Sequence, residues 1–224
     1  MLVSIVIPCF PNQDQLDDTV GRILDSVEKI TNHQFELILV DDSSADDTWK
    51  TIIELSAHHN QVSGIRLKQN IGAYNAVLHG FKKCTGDSVL IMAADGDDPP
   101  EMVPNLVRLF SNRTEAVLAV RKSSEKGFFS ILASRIFIAT LKLLDANNIF
   151  PGGSDFMLVS KHLIDTCSTE GWKSGNTLIQ LVQIASNVQT IGYTKGRSKP
   201  STWSFNKKLK LFIQTTNQFI SLPG

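Results

Sequence analysis

The sequence has little of what staples, anchors or charges a protein. Its three cysteines, Cys9, Cys84 and Cys167, are far apart, odd in number and without C-x-x-C spacing. That excludes a disulfide framework, gives no zinc pattern and fits a reducing, cytoplasmic setting. No segment reaches the roughly 18–20 uninterrupted apolar residues of a membrane span. The nearest approach, 128–144, is broken by Arg135 and Lys142. The opening MLVSIVIPCF lacks a basic lead and reads as a first strand, not a signal peptide. Net charge is absent too, because 22 basic residues balance 22 acidic ones. No global field draws the chain to nucleic acid, and no nucleic-acid partner is expected. Repeats and low-complexity linkers are missing. So is a glycine-rich phosphate loop with a basic residue near the amino terminus, which argues against a sugar-phosphate nucleotidyltransferase. The histidines His33, His58, His59, His79 and His162 show no metal-ligand spacing and read as surface or structural residues.

What remains is an ordinary globular composition, 42% apolar and 20% charged over 224 residues, enough for one α/β domain with a sizeable core. The first half alternates apolar runs with helical spacings. Strands are predicted at 2–7, 35–40, 62–67, 88–93 and 116–120, and helices at 14–30, about 44–58, 72–83 and from Pro100 onward. Such alternation implies a mostly parallel sheet with helices on both faces. The second half is less regular: helices are predicted at 128–146, 161–166, 176–186 and 206–220, strands at 155–159 and 189–193, and a glycine loop at 151–153.

In open α/β sheets ligands gather beyond the carboxyl ends of the strands. Those ends here carry Pro8-Cys9-Phe10, Asp41-Asp42-Ser43 and Asp95-Gly96-Asp97-Asp98. The run VLIMAADGDDPPE (89–101) drives a buried strand into Asp95, Asp97, Asp98 and Glu101. Carboxylates this close repel one another, and a hard divalent cation, Mg²⁺ or Mn²⁺, relieves the repulsion through oxygen ligands. Asp95 and Asp97, two apart, share a side if the segment is extended. The plain alternative is an acidic turn with Asp98 capping the next helix. In LILVDDSS (37–44) an Asp can bind a ribose or base, or Asp42, Ser43 or Ser44 can cap a helix.

Taken in order, SIVIPCF, LILVDDSSADDT, QNIGAYNAVLHGFKKCTGD and the DGDDPPE segment resemble family-two glycosyltransferases. More narrowly, they resemble the dolichyl- or polyprenyl-phosphate sugar synthases. That group reads V-P-x-(Y/F)-N, V-(N/D)-D-G-S-x-D-x-T, N-x-G-x-x-x-A-x-x-x-G-x-x-x-A-x-G-D and D-x-D-x-Q-D-P-P-E. The later SDFMLVSK and RSKPSTWSF resemble its G-D-F-R-L-x-x-R and R-x-x-G-x-S-K-(Y/W)-S-F. The resemblance implies a GT-A, Rossmann-like fold in one catalytic domain, with 1–122 binding the nucleotide sugar and 123–224 the acceptor. It implies that Pro8, Asp42, Asn70, Gly72 and Asp95 line the donor pocket, and that Asp95 and Asp97 hold Mg²⁺ or Mn²⁺. It places Arg121 and Arg197 at an acceptor or diphosphate group. It implies inversion at the anomeric carbon, with Asp98 and Asp155 the candidate bases if the acceptor is a hydroxyl. A phosphate acceptor, already anionic, needs no base.

The implied partners are a nucleotide-diphosphate sugar, a lipid-phosphate or saccharide acceptor, and a membrane surface met by the amphipathic stretches 128–144 and 206–221. Those stretches equally suit a core or a homo-oligomer contact. Several positions depart from the pattern. Ala93 stands for the first Asp of D-x-D, Gln69 for an Arg, Met157 for the Arg of D-F-R-L and Thr202 for a Lys. Lost cations favour a saccharide hydroxyl over a lipid phosphate, and Ala93 keeps open a nucleotide-sugar-binding module without turnover.

Overall fold

The structure, a computed structural model, describes residues 1–11, 13–111, 113–121, 155–172 and 176–193. The predicted helices at 128–146 and 206–220, the 151–153 loop, and Arg197 with its basic segment lie outside the described residues.

Seven strands form one sheet in the order β3-β2-β1-β4-β6-β5-β7. They are β1 (Leu2–Cys9), β2 (Gln34–Asp41), β3 (Val62–Arg66), β4 (Ser88–Ile91), β5 (Ala116–Arg121), β6 (Met157–Ser160) and β7 (Val188–Tyr193). The helices among the described residues are α1 (Gln13–Glu28), α2 (Thr48–His58), α3 (Ala73–Phe81), α4 (Val103–Leu109), α5 (Lys161–Glu170) and α6 (Thr177–Ile184). Strands β1 and β4 are central and apolar nearly throughout because both faces of the sheet are covered.

Alternation along each strand divides the core in two. Ile5, Ile7, Leu37, Leu39 and Leu90 point to a layer made by Leu16, Val20 and Ile23 of α1, Ile52 of α2 and Leu106 of α4. Val6, Ile38, Val40, Val89 and Ile91 point the other way, to Val77 of α3, Leu163 of α5 and Leu181 of α6. Each fully buried Ile or Leu contributes about 1.5–3 kcal/mol relative to exposure. The closeness of α3 to the sheet depends on Gly80, where an added Cβ would lie 2.4 Å from Cγ1 of Val6. Gly80→Ala must push α3 outward. A loss of about 1–3 kcal/mol is expected, read in thermal denaturation as a melting point several degrees lower; an unchanged Tm would contradict this packing.

Strand β6 decides where the second half of the chain delivers its residues. It runs antiparallel to both neighbours, with Met157 opposite Ile91 of β4 and opposite Leu118 of β5. Its amino end therefore lies beside the carboxyl ends of β4 and β5. Parallel pairing of β5 with β7 sets Arg121 opposite Tyr193. One rim thus collects the carboxyl ends of β1, β2, β4, β5 and β7 and the amino end of β6.

Candidate active site

At the end of β2 two adjacent aspartates are buried and turned to different tasks. Asp41 Oδ1 accepts from the Ser44 amide at 2.9 Å, and its Oδ2 lies 3.3 Å from Arg66 Nε, an ion pair without hydrogen-bond geometry. Asp42 accepts from the Ile71 and Gly72 amides, each at 2.8 Å. Its carboxylate thus pins the loop that carries exposed Asn70 and Gly72 to the end of β2. Gly72 precedes α3 with φ 86° and ψ 151°, a region open essentially to glycine alone that costs an L side chain about 1–3 kcal/mol. Between the aspartates and the start of α2, Ser43 holds φ 61°, at the position where the resembling group has glycine. Ser43→Gly relieves that conformation, and a gain of about 0.5–1 kcal/mol is expected in chemical denaturation. A loss of stability would show that the Ser43 side chain outweighs its backbone cost.

The end of β4 is a turn, not the extended segment expected for Asp95 and Asp97. Gly96 has φ 70°, and the Asp97 amide donates to Asp95 Oδ1 at 3.0 Å. Asp95 is exposed and Asp97 half-buried. Asp98 does not cap the following helix. Pro99 precedes the 3-10 turn Pro100–Met102 without a side-chain cap, and the Asp98 carboxylate folds back into the protein. There its Oδ2 accepts from the Ala93 amide at 3.0 Å and its Oδ1 from the Tyr193 hydroxyl at 3.1 Å. Burial pushes the Asp98 pKa up to about 6 against these two donors, and the neighbouring charges of Asp155 and Asp95 add to the rise.

Asp155, two residues before β6, reaches the same rim from the opposite chain direction. The Tyr74 hydroxyl hydrogen-bonds to its carboxylate, and the Arg121 guanidinium acts on it electrostatically. Surrounding protein raises the Asp155 pKa, while Tyr74 and Arg121 oppose the rise. The residue as a whole is exposed at the rim. Arg121 also hydrogen-bonds to the Tyr193 hydroxyl, whose pKa burial pushes up to about 12. The Tyr193 ring packs edge-on against Phe156 at 6.1 Å between centroids.

Asp95, Asp98, Arg121 and Asp155, all singled out in the sequence, therefore meet at one rim, while Pro8, Asp42, Asn70 and Gly72 border it at the ends of β1 and β2. Sequence reasoning missed Tyr74, Tyr193 and Asn176. One signal was available: the chain has only two tyrosines, and both hydroxyls bond to carboxylates of this rim. The three cysteines are buried, and burial raises the pKa of Cys84 to about 12 and of Cys167 to about 11.

The profile of glycosyl transferase family 2 matches residues 4–167, well over half of the chain. The chain belongs to glycosyl transferase family 2. Solved structures show the shared GT-A fold. The mannosyltransferase PcManGT of Pyrobaculum calidifontis, solved with GDP-Man and Mn²⁺, is 16% identical with a TM-score of 0.70, over 99% of this chain and 65% of its own. The glucosyl-3-phosphoglycerate synthase of Mycobacterium tuberculosis, solved with UDP, is 16% identical with a TM-score of 0.70, over 100% of this chain and 81% of its own. The mannosyl-3-phosphoglycerate synthase of Rubrobacter xylanophilus is 14% identical with a TM-score of 0.66, over 98% of this chain and 73% of its own. This family-2 chain spans just under two thirds of the length of the mannosyltransferase. Among its described residues no helix is long and apolar enough to cross a membrane.

Proposed function

We propose that this family-2 glycosyltransferase moves a sugar, with inversion, from a nucleotide-diphosphate sugar to an acceptor that presents a hydroxyl beside an anionic group. One observation carries the reading: antiparallel β6 brings exposed Asp155, and β5 brings Arg121, to the rim that holds Asp95. A base, a cation and a strand-end carboxylate at one sheet edge are the parts such a transfer uses. Asp155 takes the acceptor's hydroxyl proton as the oxygen attacks the anomeric carbon. Burial raises its pKa above the usual carboxylate range, the direction that makes a carboxylate a stronger base. Arg121 binds the anionic group through its planar donor fork. Pro8, Asn70 and Gly72 border the donor, and Asp42 holds the loop of Asn70 and Gly72 in place.

The donor set fits Mg²⁺ or Mn²⁺. Among the described residues no group of three His, Cys, Asp or Glu side chains could enclose a cation unaided. Exposed Asp95, with Asp97 beside it, offers one or two carboxylates, and these cations accept so few when phosphate oxygens complete the shell. Bound there, the cation would supply Lewis-acid stabilisation of charge on the departing diphosphate.

A polyprenyl-phosphate acceptor is the second reading, favoured by Arg121 on the rim, and it needs no base. Nucleotide release from UDP-glucose and GDP-mannose, measured with Mn²⁺ against 3-phosphoglycerate, a polyprenyl phosphate and a neutral oligosaccharide, tests the reading. Acceptor-dependent release with a phosphorylated hydroxyl compound is expected. Release only with the polyprenyl phosphate would transfer the assignment to the second reading, and binding without any release would leave a nucleotide-sugar-binding module.

A further inference from the structure

The order of donors and acceptors behind Asp155 fixes the direction of each hydrogen bond. The amides of Leu178 and Ile179, at the start of α6, donate to Asn176 Oδ1 at 2.9 and 3.3 Å. With its oxygen so engaged, Asn176 turns its amide nitrogen, a donor only, toward the Tyr74 hydroxyl, to which it is hydrogen-bonded. The Tyr74 oxygen thus receives a proton from Asn176, and its own proton is left for Asp155. The Thr177 hydroxyl donates to the Tyr74 carbonyl at 3.3 Å and ties α3 to α6 at this point. Arg121, Tyr193 and Asp98 repeat the same order, with a fixed donor, a tyrosine and a carboxylate.

We infer that Tyr74 is a positioning residue for Asp155: its hydroxyl, with the proton directed by Asn176, aims the carboxylate at the rim and supplies its one protein O–H donor among the described residues. The mechanistic consequence rests on Asp155 being the base proposed above. The groups facing Asp155 are Tyr74 from α3, Arg121 from β5 and Asp98 from the turn after β4. A hydrogen bond to the ionised form favours that form, so Tyr74 works against the effect of burial. Removing the hydroxyl raises the Asp155 pKa, and the acid limb of the kcat–pH profile moves to higher pH.

The test reads Asp155 directly, by ¹³C-carboxyl NMR titration of the full chain with the signal assigned through Asp155→Asn. Tyr74→Phe is expected to raise the midpoint. Asn176→Asp keeps an acceptor for the α6 amides but replaces the donor facing Tyr74 with an acceptor. It should also raise the midpoint, and by less when combined with Tyr74→Phe. An unmoved midpoint in Tyr74→Phe, or shifts that simply add in the double variant, would overturn the inference. If the midpoint rises while the kcat profile stays in place, Tyr74 keeps its role and Asp155 loses the role of base.

Discussion

Asp155→Asn is expected to lower kcat by about 10²–10⁴-fold, the range usual for loss of a positioned general base, with the affinity for the nucleotide-sugar donor unchanged. Asparagine keeps an oxygen able to accept from the Tyr74 hydroxyl, so the contact that seats the residue survives. What it removes is a carboxylate with a raised pKa at the mouth of the rim. Steady-state kinetics with a hydroxyl acceptor, alongside donor titration, give the two readouts separately. A fall in kcat with unchanged donor affinity marks loss of an interaction made in the transition state. Unchanged turnover would mean that the acceptor arrives as an anion, as a polyprenyl phosphate does, and that Arg121 is the more important contact.

Asp98→Asn changes how stability depends on pH. The folded-state pKa of Asp98 is raised from its ordinary value to about 6. Between about pH 4 and pH 6 the folded chain thus binds more protons at this site than the unfolded chain does. The slope of unfolding free energy with pH is negative there, so stability is fully present at the acid end and is lost as pH rises through the folded pKa. Asparagine does not titrate. From pH 4 to pH 7 the wild type should lose about 2–3 kcal/mol relative to the variant. The variant carries a cost at every pH, because one oxygen cannot serve both the Ala93 amide and the Tyr193 hydroxyl as two do. A stranded buried donor costs about 1–3 kcal/mol. Denaturant unfolding at the two pH values measures the change in the gap; a constant gap would show that Asp98 is ionised as readily in the folded chain as in the unfolded one.

The alternation of apolar runs made the α/β layering readable, and the buried strands β1, β2 and β4 fall where their composition places them. The rule that ligands meet at carboxyl ends of strands selected Asp42 and Asp95, and family resemblance added Arg121 and Asp155. Local pattern could not reveal that β6 runs antiparallel. That direction follows from which strands it pairs with, and it alone brings Asp155 to the shared rim. The tyrosines were hidden for a related reason: the Tyr193 to Asp98 bond spans 95 residues and the Thr177 to Tyr74 bond 103. Asp42 shows the converse. Its type and position suggested a ligand contact, and in the fold each of its oxygens also accepts from a backbone amide of the loop before α3. A strand-end aspartate can serve a donor pocket by holding its wall as well as by touching the ligand. The Asp95–Asp97 pair fell into a turn because Gly96 adopts a positive φ that an extended reading ignores.

The most direct test of the proposed chemistry is calorimetric titration of UDP and GDP, with and without Mn²⁺, into the wild-type chain and Asp95→Ala. Binding of one of the two nucleotides that strengthens at least tenfold with Mn²⁺, and loses that gain in Asp95→Ala, is the result expected if exposed Asp95 meets the cation and the diphosphate at the rim; tenfold corresponds to about 1.4 kcal/mol. Binding that ignores both Mn²⁺ and the substitution would contradict the metal-assisted transfer proposed for this site.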